Sequence, residues 1–181
     1  RYFRAWDASG ETLVAMDAPP DREDIEPYLR VARLLESTGV HVPHVHAADT
    51  ALGFVLLEDL GSTPLLSQLS SPDKVESLYG DALDALALIQ TRGAEGAREL
   101  APYDAAVLER EMALMPEWFC TRHLDVELQA ADQQMLRATF AQLVDAALEQ
   151  PVVFVHRDYH SRNLMVTPRA SPGVIDFQDA L

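Results

Sequence analysis

A single cysteine, Cys120, rules out any disulfide within the 181 residues. No apolar run is long enough to cross a bilayer, and the start carries no signal-peptide pattern. Together these absences lead to the expectation of a cytoplasmic protein. Basic residues are scarce: 14 Lys and Arg face 29 Asp and Glu, a net charge of −15. Such a field repels nucleic-acid backbones and anionic membrane surfaces and excludes both as general partners. It also repels nucleotide phosphates, so a nucleotide-using site here needs a divalent metal and local basic groups. Repeats and low-complexity stretches are missing too. The chain opens without methionine at Arg1-Tyr2-Phe3-Arg4 and stops at Leu181 directly after a charged motif, which suggests a piece of a longer chain.

What is present is the profile of a soluble globular protein, 48% hydrophobic and 24% charged. A chain of this length buries a real core without staples. Tyr2 to Trp6 and Thr12 to Met16 read as strands around a turn holding Gly10, and Pro19-Pro20 ends the second. Helical spacing of Ile25, Tyr28, Leu29, Ala32 and Leu35 predicts a helix over about 22–38, stopped by Gly39. Val40 to Ala47 is extended around Pro43, and the continuous apolar run 54–57 predicts a buried strand. Helices dominate after Gly61. Ser71 and Pro72 open one whose inner face is Val75, Leu78, Ala82, Leu86 and Ile89. Others span about 102–115 and 131–149, the last with Leu136, Phe140, Leu143 and Ala147 inward. Val152 to Val155 then predicts a short buried strand, and 164–167 and 174–177 predict a late hairpin. The fold expected is α+β, with a β-rich lobe over 1–60 and a mainly helical lobe over 61–181.

Chemistry concentrates late. The stretch His156-Arg157-Asp158-Tyr159-His160-Ser161-Arg162-Asn163 follows a predicted strand, and the hairpin returns Ile175-Asp176-Phe177 toward it. Phosphoryl transfer needs this set: a carboxylate to orient and deprotonate an acceptor hydroxyl, and hard oxygen ligands for magnesium on the phosphates. His-Arg-Asp, Asn five positions beyond the Asp, and then Asp-Phe, form the kinase catalytic-loop signature.

With His156-x-Asp158-x-His160-x-x-Asn163 and Ile175-Asp176-Phe177, the chain resembles the aminoglycoside phosphotransferase family, which shares the two-lobed protein-kinase-like fold. The catalytic segments, Met16-Asp17-Ala18-Pro19-Pro20 and Leu57-Glu58-Asp59-Leu60-Gly61 are similar to a bacterial branch that contains the N-acetylmuramate/N-acetylglucosamine anomeric kinases of cell-wall recycling. The resemblance covers essentially the whole chain. It implies ATP and Mg²⁺, with Asp158 as catalytic base and Asn163 and Asp176 as magnesium ligands. It also implies that Glu58, Asp59 and Leu60 form an interlobe hinge whose backbone meets adenine. His156 is expected to brace the catalytic loop, and His160 to position it or touch the acceptor.

The sequence departs from the kinase pattern at one point: Val14-Ala15-Met16 is followed by Asp17 where a phosphate-pairing lysine is expected. Lys74 lies in the helical lobe, which leaves Arg1 and Arg4 as candidates for the phosphates. Other functions stay open. His156, Asp158 and His160 alternate like a hydrolase metal set, though Asn163 and Asp176 would then have no role. The acceptor is a small molecule, either an amino sugar or a cationic aminoglycoside, and the acidic charge suits the latter. A pseudokinase is the non-catalytic alternative. Glu58 and Asp59, adjacent on a strand, point apart and do not pair as acid and base. Trp118 and Phe119 read by default as packing residues, with acceptor-site lining as the alternative.

Overall fold

The computed structural model describes all 181 residues, which form two compact units. One comprises Arg1–Leu100 with Val153–Leu181, and the other Ala101–Val152. The expected lobe boundary at residue 60 lies inside the first.

The first unit is built on an antiparallel sheet of β1 (Tyr2–Trp6), β2 (Thr12–Asp17), β3 (Val45–Asp49) and β4 (Phe54–Glu58), in the order β1-β2-β4-β3. Asp7 makes the β1–β2 turn: its Oδ1 accepts from the Ser9 and Glu11 amides at 2.8 and 2.9 Å. β4 was expected to be buried throughout, yet only Val55 and Leu57 are buried while Phe54 is 49% exposed. One face of the sheet carries the core and the other meets water, so the pleat imposes alternation on an uninterrupted apolar run.

Helix α1 (Glu26–Thr38) starts four residues later than expected. Pro27 is tolerated only in a first turn, so it fixes the start near Glu26. The helix buries Tyr28, Val31, Ala32 and Leu35, and Gly39 caps it at φ 87°. Helix α2 (Pro72–Arg92) begins at the expected Ser71 cap and buries Ala82, Ala85 and Ile89, whereas Val75 is exposed. Arg92 donates to the Thr38 carbonyl at 3.2 Å and ties α2 to the end of α1.

The second unit holds α3 (Ala105–Leu114) and α4 (Ala130–Leu148), with a π-helical stretch, Met115–His123, between them. Asp104 caps α3 by accepting from the Val107 amide at 3.1 Å. The inner face expected for α4 is corrected: Val144 is its buried residue and Leu143 is 53% exposed. Trp118 and Phe119, expected to pack, are 52% and 53% exposed, and the Arg122 guanidinium lies 3.9 Å over the Trp118 ring. Both lie in the π-helical stretch, none of whose residues is buried.

The late hairpin is present but short, as β5 (Leu164–Met165) and β6 (Gly173–Val174). The strand expected at Val152–Val155 is not formed. That segment pairs only at Val155, which exchanges backbone hydrogen bonds of 2.8 and 2.9 Å with Leu181. Phe154 is buried nonetheless, and Val152 is 98% exposed. No helix is long and apolar enough to cross a membrane.

Candidate active site

The loop from His156 to Asn163 is held from three sides. His156 is 2% exposed and its ring meets Tyr159 edge-on, with centroids 5.5 Å apart. Burial pushes the imidazole below its ordinary range, against the raising influence of the Ile175 backbone and the Asp158 and Asp176 charges. Neither ring nitrogen makes a hydrogen bond of regular geometry. The Tyr159 hydroxyl donates to the Ala82 carbonyl of α2 at 2.6 Å, which anchors the residue following Asp158. At the far end, the Asn163 amide donates to the His160 carbonyl at 2.8 Å and closes a turn.

Asn163 is the junction. Its Nδ2 donates to the Asp158 backbone carbonyl at 3.1 Å and to Asp176 Oδ2 at 3.0 Å. Its own carbonyl accepts from the Ile175 amide at 3.0 Å. Asp176 Oδ1 accepts from Gln178 Nε2 at 2.9 Å. Two non-glycine residues here, Arg157 and Asp176, occupy the left-handed region at φ 73° and 62°. Such conformations cost energy and concentrate at functional sites. Arg157 also donates to the Asp179 carbonyl at 3.3 Å, linking the loop to the stretch after Asp176.

A cavity of about 320 Å³ opens beside this junction. Asn163 and Asp176 line it together with Glu58, Asp59 and Leu60, and Val14, Leu57, Met165 and Ile175 supply apolar walls. Five of the eight predicted site residues therefore share one cavity. Asp158, His156 and His160 do not line it: Asp158 and His160 are exposed on the adjoining loop, and His156 is buried. The cavity also gathers Tyr2, Arg4 and Tyr28, of which only Arg4 stands among the site candidates of the sequence. Tyr28 stacks on Phe177 with centroids 5.0 Å apart, so α1 supports the residue after Asp176. Helical spacing identifies Tyr28 as inward-facing but carries no sign of what it meets.

Glu58 and Asp59 are each braced. Glu58 Oε1 lies 3.0 Å from His41 Nε2, and its Oε2 accepts from the His44 amide at 3.2 Å. Asp59 takes Arg4 Nε at 2.6 Å and Arg4 Nη2 at 3.0 Å. Arg4, a candidate for the phosphates, is thus held by Asp59.

The donors at the junction suit a hard divalent cation. Asp176 presents a carboxylate and Asn163 an amide, with no thiol or imidazole between them. One carboxylate and one amide are too few to enclose an ion by themselves. They match magnesium, which keeps most of its shell for phosphate oxygens and water.

All of residues 1–181 match the family model described as the phosphotransferase enzyme family, APH. The chain belongs to the APH family. Within it, the chain is 49% identical over 181 residues to an N-acetylmuramate/N-acetylglucosamine kinase of Pseudomonas aeruginosa, covering 100% of this chain and 52% of that protein. A protein of the same name from Neisseria meningitidis is 44% identical over 184 residues, with 100% and 54% covered. The chain spans about half the length of the curated relatives it matches. Among solved structures, it resembles an ethanolamine kinase of Plasmodium vivax (TM-score 0.68, 15% identity), covering 99% of this chain and 54% of the other. It also resembles a macrolide 2′-phosphotransferase of Brachybacterium faecium (TM-score 0.64, 18% identity, 99% and 62% covered). At these identities the structural likeness speaks for the APH fold, an α+β protein-kinase-like architecture.

Proposed function

We propose that the protein is an ATP-dependent sugar kinase that phosphorylates the anomeric hydroxyl of N-acetylmuramate or N-acetylglucosamine, a reaction suited to cell-wall recycling. The observation that carries the reading is the Asn163–Asp176 pair at the edge of the cavity walled by Glu58–Leu60. The name shared by its close relatives supplies the acceptor. The apolar walls suit a flat base, and the backbone of 58–60 offers it hydrogen-bonding groups. Asn163 and Asp176 would hold magnesium, which when bound would neutralise charge on the phosphates.

Asp158 accepts the proton of the C1 hydroxyl as its oxygen forms a bond to the γ-phosphorus. The bond from that phosphorus to the β–γ bridging oxygen breaks, and ADP leaves. The ring oxygen makes the C1 hydroxyl more acidic than an ordinary alcohol, so a carboxylate is a sufficient base. Positioning and electrostatics carry most of the rate. His156 and Tyr159 hold the loop that presents Asp158, and His160 fixes its turn.

Full-length protein incubated with Mg-ATP and each sugar should lose one reducing end per ADP formed, giving an acid-labile glycosyl phosphate. ADP formation with reducing ends unchanged would refute anomeric transfer. Turnover confined to aminoglycosides would instead make the protein an antibiotic phosphotransferase.

A further inference from the structure

Arg4 stands on β1, the edge strand, and yet its guanidinium ends on the segment that follows β4, two strands away. The register explains the reach. Arg4 lies opposite Val14, and Val14 lies opposite Leu57, so the three occupy one row on one face of the sheet. Val14 and Leu57 both wall the cavity. The Arg4 side chain therefore crosses the cavity side of β2 and meets Asp59 just beyond the end of β4.

The contact is a fork. Nε donates to Asp59 Oδ2 at 2.6 Å, while Nη2 donates to Oδ1 at 3.0 Å and to the Gly61 carbonyl at 3.2 Å. The Gly61 amide donates back to Asp59 Oδ1 at 2.9 Å. The Asp59 side chain is only 4% exposed, against 42% for Arg4. Burial pushes this carboxylate up, but hydrogen bonds from Arg4, Gly61 and Thr12, with the Arg4 charge, outweigh it and hold it below its ordinary value. Its acceptor sites are committed to the protein, which leaves it unsuited as a base or metal ligand. Gly61 turns at φ 86°, so the backbone leaves the cavity wall at a point fixed by this one guanidinium.

We propose that Arg4 and Asp59 form a clamp across the sheet that holds residues 59–61 in the shape the nucleotide requires, making both of them positioning residues for ATP. The proposal rests on the cavity being the nucleotide site. A wall segment ordered before binding need not be ordered by the ligand, and that ordering otherwise costs affinity. The clamp's hydrogen bonds run among Arg4, Asp59 and Gly61 and reach none of Asp158, Asn163 or Asp176, so its loss should weaken ATP binding without disturbing the transfer step.

The test is steady-state kinetics on the full-length protein. Arg4→Gln should raise KM for ATP about tenfold, the scale of ordering one backbone residue, with kcat and sugar KM within about twofold. Arg4→Lys should recover only part of the loss, because an ammonium cannot reproduce the fork. Should Arg4→Gln leave Asp59 buried and unpaired and fail to fold, Arg4→Met/Asp59→Leu replaces the pair by apolar side chains and carries the same expectation. An unchanged KM for ATP in either folded variant overturns the clamp, as does a loss spread equally over kcat and both KM values. Val14→Trp, which fills the cavity, separates the two levels. If Val14→Trp raises KM for ATP and the clamp variants do not, the clamp alone is wrong. If Val14→Trp leaves it unchanged, the cavity is not the nucleotide site.

Discussion

Asn163 and Asp176 come from different strand ends and meet at 3.0 Å, while the same amide touches the Asp158 backbone at 3.1 Å. Three residues with two proposed roles, base and magnesium ligand, thus share one hydrogen-bonded junction, and substitutions should separate those roles. Asp158→Asn should keep nucleotide binding and lower turnover roughly 10²–10⁴-fold, as for a positioned base. Asp176→Ala should abolish turnover at any magnesium concentration, since it removes the carboxylate proposed to hold the metal. A magnesium titration of kcat in the two variants checks both, and near-wild-type turnover in either refutes its assignment. His156 predicts a pH dependence of stability. Its folded pKa lies below the unfolded value of about 6.5, so between the two the unfolded chain holds more protons. The stability tied to a neutral His156 is complete above about pH 6.5 and is lost as pH falls toward the folded pKa. His156→Gln should flatten the fall in melting temperature between about pH 7 and 5. The residue spacing made Asp158, Asn163 and Asp176 legible in the sequence, because the loop that joins them is local. Arg4 and Asp59 pair across 55 residues, and their meeting depends on the sheet register, which no spacing encodes.

At the scale of elements, local punctuation was the most readable feature. Ser71 with Pro72, Gly39 and the Asp7–Glu11 turn set their boundaries by short-range chemistry. Where neighbours decide, the sequence alone misleads. The run 152–155 has the composition of a buried strand but finds only Leu181 to pair with. The π-helix gives no warning in its apolar pattern, and Trp118 and Phe119 within it are exposed. The β3–β4 turn offers a test of tight geometry. Gly53 sits at φ 75°, and a Cβ there would collide with the Ala18 carbonyl, whose own amide donates to the Gly53 carbonyl at 2.9 Å. Gly53→Ala should destabilise the fold by about 2–4 kcal/mol through backbone strain and overlap. A lower denaturant midpoint at unchanged slope would show it; no change would mean the turn relaxes freely.

Across the whole molecule, burial is uneven. Within Ala101–Val152, Val144 is the one buried hydrophobic residue, whereas α1 alone buries four besides Thr38. Few buried contacts mean low local stability. In the chain of residues 1–181, amides of α3 and α4 should therefore exchange with solvent faster than those of β2, β4 and α1. Equal protection across both units would contradict this. The first unit is also discontinuous in sequence. Its sheet and first two helices belong to Arg1–Leu100, while Asn163, Met165, Ile175 and Asp176 arrive with Val153–Leu181. A ribosome adding about 5–20 residues per second takes several seconds to make the intervening Ala101–Val152. Throughout that interval the nascent sheet presents only part of the cavity lining, with Val14 and Leu57 not yet facing Met165 and Ile175. The apolar face that later lines the cavity is thus first an open surface of the growing chain, until the hairpin of residues 164–174 emerges to meet it.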